Sequence, residues 1–256
     1  MTHETQPIAV ITGGSRGLGR SMALRLAERG VDSIITYRAA ANEANTVVNE
    51  VERNHGRKAI ALPLDVSDNS SFGAFAETLK AELARIWKRA SFDYLVNNAG
   101  VGVHANFAET SEVQFDELVK VHLKGPFFLT QKLLPLITDG GRILNVSSGL
   151  ARFTFPGYGA YAAMKGGIEV LTRYQAKELG ARRISVNTLA PGAIETDFGG
   201  GHVRDNSEFN RLVASGIALG RVGLPDDIGN AVAMLLSPEN AWINGQRIEV
   251  SGGQML

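Results

Sequence analysis

Four glycines and an arginine stand between an apolar run and a helical pattern in TGGSRGLG, Thr12 to Gly19. A helix that begins there presents unpaired N–H groups and the positive end of its dipole, which suits a phosphate-bearing ligand. Gly13, Gly17 and Gly19 would serve a tight turn, close pyrophosphate approach and helix–strand packing. Far along the chain, Tyr161 and Lys165 lie four residues apart in YAAMK and share one helix face. Ser148 ends the run GRILNVSS, thirteen residues before Tyr161, and NNAG, Asn97 to Gly100, closes another apolar run. Each feature alone is common: a glycine turn, a helix surface pair, a turn serine, an asparagine-rich turn. Together they converge on the carboxyl edge of one sheet, where open α/β sheets place their ligands.

The elements that must position them are legible as alternation. IAVIT, SIITY, KAIALPL, FDYLVNN, GRILNVSS, RISVNTLAP and GQRIEVSGG read as strands, mostly apolar on both faces, as burial between two helical layers requires. Helices are predicted near 17–29, 41–54, 69–88, 112–137, 158–179 and 225–237, the pattern of a parallel sheet wrapped by helices. No repeat or linker interrupts it, so the 256 residues are expected to form a single domain. The irregular stretch Asp197 to Gly223, with a triple glycine and polar interior, is expected to be a mobile lid.

Composition narrows the function classes. Lys+Arg 26 balance Asp+Glu 26, leaving no net field to attract nucleic acid or an anionic membrane. With zero cysteines there is no disulfide, thiolate metal site or cysteine nucleophile, and no metal site is expected. The opening MTHETQPIAV lacks the charged start and apolar core of a signal peptide, and no apolar run reaches transmembrane length. A soluble, cytoplasmic protein is expected.

TGGSRGLG, LDV (Leu64 to Val66), NNAG, NVSS, the Tyr161-to-Lys165 spacing, PGAIET (Pro191 to Thr196) and INGQRIEVSGG together resemble the short-chain dehydrogenase/reductase family. The resemblance is to its common branch of about 250 residues and spans nearly the whole chain. It implies a doubly wound (Rossmann) α/β fold of about seven parallel strands with helices on both faces. It also implies catalysis by Ser148, Tyr161 and Lys165, with Tyr161 exchanging a proton with a carbonyl or alcohol oxygen as hydride passes to or from a nicotinamide. A phenol with a pKa of about 10 needs help to act near neutrality, and a nearby cation supplies roughly 1 to 3 units; Lys165 is the expected source. Ser148 would stabilise charge on the substrate oxygen. His122 departs from the family pattern, which places asparagine there to hold a water through its backbone carbonyl. Pro126 has no N–H to give that carbonyl, so the expectation is that the backbone role survives, with the imidazole either joining a proton relay or merely packed.

The same resemblance implies a cofactor site of Gly13, Ser15, Arg16, Gly17, Leu18 and Gly19 at the turn, with Tyr37 and Arg38 after the second strand. Asp65 and Val66 would lie by the adenine, Asn97, Ala99 and Gly100 by the adenosine, and Pro191, Gly192, Ile194 and Thr196 by the nicotinamide, together with Tyr161 and Lys165. Relatives that prefer NAD usually carry an acid where this chain has Tyr37-Arg38, so Arg16 and Arg38 imply NADP(H) over NAD(H). The expected partner is a small carbonyl or alcohol substrate. Phe153, Phe155 and Tyr158 either wall its pocket or pack under the lid or at a subunit contact. Apolar residues on more than one face of helices 112–137 and 158–179, with the family's habit, imply a homotetramer, or failing that a dimer. A 3-oxoacyl-thioester reductase and a non-catalytic NADP(H)-binding redox sensor are the competing functions.

Overall fold

The computed structural model describes residues 6–256; the signal-peptide reading falls in part on residues 1–5, outside the described residues. In chain order the elements are β1 (Ile8–Ile11), α1 (Gly17–Glu28), β2 (Asp32–Tyr37), α2 (Ala41–His55), β3 (Ala59–Pro63), α3 (Phe72–Glu82) and β4 (Phe92–Asn97). There follow α4 (Glu112–Val119), α5 (Gly125–Leu133), β5 (Ile137–Val146), α6 (Gly159–Glu178), β6 (Ser185–Pro191), α7 (His202–Asp205), α8 (Ser207–Ser215), α9 (Pro225–Leu235) and β7 (Arg247–Val250). The seven strands form one all-parallel sheet in the order β3-β2-β1-β4-β5-β6-β7.

Period-two alternation divides the core into two layers. From β1, Ala9 and Ile11 pack with Met22, Leu26 and Val232 on one face of the sheet. Ile8 and Val10 pack with Phe72, Leu79, Leu133 and Val186 on the other. All four β1 side chains are buried, as a strand between two helical layers must be. The connections from β1 toward β2 and from β4 toward β5 run to opposite sides, so a crevice opens beyond the carboxyl ends of β1 and β4.

One expected helix is several elements. The segment read as 112–137 starts with a capping box, Ser111 and Gln114 bonding reciprocally to each other's backbone. It then widens into a π turn over Lys120–Lys124, resumes as α5, and gives way to β5 at Ile137. Pro126 follows directly as the second residue of α5 and has no N–H with which to continue the ladder. The wide turn instead closes through Gly125 N–H to the Lys120 carbonyl. The expected helix 69–88 likewise passes through a π turn at Leu83–Trp87, which Lys88 ends in a left-handed conformation at φ 57°.

Residues 197–223 leave and return at one point: Glu195 N–H bonds the Gly223 carbonyl at 2.9 Å, and Gly223 N–H bonds the Ala193 carbonyl at 2.9 Å. Between these ends, α7 and α8 lie over the crevice. Asn206 caps α8 by accepting from the N–H groups of Glu208 and Phe209.

Candidate active site

A cavity of about 1050 Å³ runs along the carboxyl edge of the sheet. At one end is the turn after β1. Gly13 adopts φ 67° and a Cβ there would come within 3.0 Å of the Ala99 backbone; a Cβ on Gly19 would strike the Gly13 carbonyl. The Asn98 amide fixes this turn, donating to the Thr12 and Gly13 carbonyls at 2.8 and 3.1 Å. Arg16, the N-cap of α1, offers no side-chain cap, and the first turn of α1 holds no acidic residue. Free N–H groups therefore face a cradle that only glycines leave open, and this fits a dinucleotide pyrophosphate.

Gly13, Ser15, Arg16, Gly17, Leu18 and Gly19 line that end, and Tyr37 and Arg38 follow at the end of β2. Asp65 and Val66 line it after β3. Burial alone would raise the Asp65 carboxyl, but Ser67, donating through both its hydroxyl and its N–H, and the charge of Arg38 hold it below the usual range. Ala99 and Gly100 line the middle, and Pro191, Gly192, Ile194 and Thr196 the floor beneath the segment 197–223.

Asn97, expected by the adenosine, does not line the cavity. Its amide is buried on the opposite face of β4, donating to Thr130 Oγ1 at 3.0 Å and Asn145 Oδ1 at 2.8 Å. Asn145 continues this polar belt to Thr172 and Gln175 on α6. Successive strand side chains point to opposite faces, so the neighbouring Asn98 takes the cavity side.

Ser148, Tyr161, Lys165 and His122 meet at the centre. Tyr161 and Lys165 sit one turn apart on α6 and are both buried, with Lys165 Nζ 5.5 Å from the Tyr161 ring centroid. Lys165 Nζ donates to the Val146 carbonyl at 2.8 Å, which ties α6 to the end of β5. Burial pushes the Tyr161 phenol up, only partly offset by a hydrogen bond with the Ser148 hydroxyl. This reverses the expected downward pull by Lys165. Burial also brings Lys165 down from 10.5 to about 7. The pair is therefore a phenol held in its donor form beside an amine that exchanges protons near neutrality.

The π turn presents the buried His122 edge-on to Tyr161, ring centroids 5.1 Å apart. Its Nε2 lies 2.8 Å from the Val101 carbonyl, and its Nδ1 is buried without a partner. Burial first, and then the charge of Lys165, push the imidazole down to about 3 against the opposing bond to Val101. It is neutral at physiological pH, with its Nε2–H committed to a carbonyl.

The far end of the cavity is aromatic and aliphatic. Phe153, Phe155 and Tyr158 line it from the segment between Ser148 and α6, facing Phe198, Phe209, Leu212 and Val213. Phe155 and Phe209 pack edge to face at 6.3 Å, and Phe198 lies 5.6 Å from the Tyr161 ring. Phe155 thus does two of the three things the sequence left open, walling the cavity and packing under α8. Sequence reading missed Asn98, the residues of α8 and the C-terminal Gln254 and Met255. The stripe Phe209, Leu212, Val213 at i, i+3, i+4 could have marked α8 as an amphipathic cover, whereas nothing in the spacing marks the tail. Among the described residues no His, Cys, Asp and Glu cluster could hold a metal ion, and no helix is long and apolar enough to cross a membrane.

A family model described as enoyl-(acyl carrier protein) reductase matches residues 13–255. The chain belongs to the short-chain dehydrogenase/reductase family. Among its relatives in this family is the tetrahydroxynaphthalene reductase PfmaG of Pestalotiopsis fici, 37% identical over 257 residues that cover 96% of this chain and 90% of PfmaG. Among solved family structures, the promiscuous reductase LugOII, which catalyses keto-reduction at C1 during lugdunomycin biosynthesis, has a TM-score of 0.93 at 34% identity, covering 98% of this chain and 99% of LugOII. The landomycin C-6 ketoreductase LanV, solved with bound NADP and rabelomycin, has a TM-score of 0.88 at 34% identity, covering 98% and 97% of the two chains. These relatives are ketoreductases, and a carbonyl reductase of the short-chain type is the activity they support for this chain.

Proposed function

We propose that this chain is an NADPH-dependent ketoreductase that acts on a fused-ring aromatic ketone. The observation that carries the reading is the joining of Ser148, Tyr161 and Lys165 to a wall of Phe153, Phe155, Tyr158, Phe198 and Phe209 in one cavity. Flat aromatic ligands gain from edge and face contacts with such rings beyond simple area burial. The relatives support the same reading: PfmaG is a tetrahydroxynaphthalene reductase, LugOII catalyses a keto-reduction, and LanV is a ketoreductase seen with rabelomycin.

The N-terminus of α1 with Gly13, Ser15, Gly17, Leu18 and Gly19 would hold the pyrophosphate, and Tyr37, Arg16 and Arg38 the phosphorylated ribose. Asp65, Val66, Ala99 and Gly100 would flank the adenosine, and Pro191, Gly192, Ile194 and Thr196 the nicotinamide. When bound, NADPH supplies the hydride. Tyr161 donates its phenolic proton to the ketone oxygen, and Ser148 stabilises the charge developing on that oxygen. Lys165, poised near neutrality, restores the proton. His122 positions rather than titrates: it fixes the Val101 carbonyl and packs against Tyr161. The segment 197–223 is read as the lid that excludes water from this chemistry.

A carrier-protein substrate is disfavoured because, of the two arginines on the loop after α6, Arg182 donates to Asp139 and to the Leu134 and Ile137 carbonyls, which leaves the exposed Arg183 alone to grip an acidic partner. A sensor would have no use for a complete Ser148, Tyr161 and Lys165 set. The exposed Phe127, Phe128, Val170 and Tyr174 on α5 and α6 support a homotetramer, and a cytoplasmic location is retained.

The test is a panel of hydroxylated naphthalenones, angular polycyclic ketones, aliphatic ketones and oxoacyl thioesters, followed by loss of NADPH absorbance. Turnover confined to the ring ketones supports the reading; preference for oxoacyl thioesters would replace it.

A further inference from the structure

Arg152, four residues after Ser148, makes an unusual number of commitments for a side chain that lies outside the reacting centre. Its guanidinium engages Glu249 through both carboxylate oxygens, Nε at 2.8 Å and Nη2 at 2.7 Å. It also donates to the Gln254 carbonyl at 2.7 Å and the Met255 carbonyl at 3.1 Å. The same group stands over the Phe153 ring, 5.4 Å from its centroid. Phe153, Gln254 and Met255 all line the cavity, so one planar fork holds wall residues from two distant parts of the chain.

The tail that Arg152 holds is itself bonded to the lid. Met255 N–H donates to the Gly216 carbonyl at 2.9 Å, and Ala218 and Leu219 donate to the Gly253 and Gly252 carbonyls at 3.2 and 3.0 Å. In the other direction, Glu249 accepts from Arg247, and Arg247 donates to Glu169, which accepts from the Ser147 hydroxyl beside Ser148. A chain of alternating charges thus runs from the neighbour of the catalytic serine to the return of the lid. Isolated surface pairs contribute little, but a bidentate pair within a network is the arrangement that does contribute.

We propose that Arg152 is a specificity-determining positioning residue, which sets the width of the ketone end of the cavity by clamping the C-terminal tail beneath the lid. The inference rests on the reductase reading of the cavity and adds to it which residue holds the substrate wall. Arg152 lies beside the wall rather than at the cofactor cradle, so its removal should be felt by the ketone and not by the nucleotide.

The experiment compares full-length wild type, Arg152→Ala, Arg152→Lys and Glu249→Gln in three readouts. These are ketone kinetics, NADPH affinity by fluorescence, and amide hydrogen exchange over residues 202–219 and 252–256. Arg152→Ala is expected to raise the ketone KM about tenfold, the scale of a lost charge-assisted hydrogen bond, while NADPH affinity and kcat stay within about threefold. The amides of Ala218, Leu219 and Met255 should exchange faster. Arg152→Lys keeps the charge without the fork and should recover only part of the loss, with Glu249→Gln intermediate. An unchanged KM with unchanged exchange would overturn the proposal, as would NADPH affinity, kcat and Tm falling together, which would make Arg152 a stability residue alone. If wild type turned over no ketone, the reductase reading would fail on its own. Exchange would still decide the clamp, with faster amides in Arg152→Ala upholding it and unchanged ones overturning it.

Discussion

Tyr161 and Lys165 are both closed off from water, and burial acts on them in opposite senses. A buried phenol keeps its proton and a buried amine loses one, because each is pushed toward its neutral form. With Lys165 lowered from 10.5 to about 7, the unfolded chain binds more protons than the folded one between those values. Stability from this group therefore rises with pH from about 7 toward 10.5, and the cost of the buried charge is full below 7. Lys165→Met is expected to raise Tm at pH 6 and to narrow that gain by pH 9, in parallel thermal melts, while lowering kcat roughly 10²- to 10⁴-fold. His122 is lowered to about 3 and does not titrate in the working range. His122→Asn should accordingly leave the limbs of the pH–rate profile where they are; a limb displaced by a full unit would give the imidazole the relay role its geometry denies it. At this scale the sequence located Ser148, Tyr161 and Lys165 by type and spacing. It did not single out Asn98, the asparagine of NNAG that lines the cavity, because a one-residue change of strand face is invisible without knowing where β4 ends.

On the proposed reading, the turn after β1 and the end of β2 set the choice between nucleotides. Arg16 and Arg38 are exposed at the rim, Arg16 with an acidic neighbour, Asp197, at 3.9 Å. Glu43 also lines this end, from the first turn of α2. Two cations near one phosphate should outweigh it, each charge-assisted bond contributing roughly 1.5 to 3 kcal/mol before solvent screening. Arg16→Ala with Arg38→Ala is expected to lower the NADPH-over-NADH preference in kcat/KM at least about tenfold, with the wild-type preference shrinking as salt is added. An unaltered ratio would assign both arginines to the solvated surface. Element types were legible from periodicity, since every strand pairs where an apolar run was read. The break of helix 112–137 was not. Pro126 announced an irregularity, but the seat of the turn against Val66, whose carbonyl a Cβ on Gly125 would strike, is a contact made only in the folded chain.

The molecule as a whole is electrically balanced, with a formal net charge of zero, so assembly is not opposed by self-repulsion. Phe107, Phe115, Phe127, Phe128 and Tyr174 remain exposed on or beside α4 to α6, and apolar groups gathered this way mark contact surfaces. Sedimentation at micromolar concentration is expected to give about four times the chain mass of 27.4 kDa; a species of one chain mass would leave those rings to another use. The strand order β3-β2-β1-β4-β5-β6-β7 comes from the fold alone, whereas the parallel sheet and the edge that carries the site were readable from the alternation of elements. The tail under the lid was not, because it joins Gln254 and Met255 to residues such as Gly216 and Arg152 that are distant in sequence and share no pattern with them. Proton transfer through Tyr161 at this edge, as a ketone is reduced, is the step on which the proposed activity turns. Its most direct measurement is the single-turnover rate of NADPH oxidation with a ring ketone in wild type and Tyr161→Phe, alongside NADPH affinity. A loss of at least about 100-fold in rate with affinity retained is predicted; a Tyr161→Phe enzyme that reduces the ketone at the wild-type rate would contradict it.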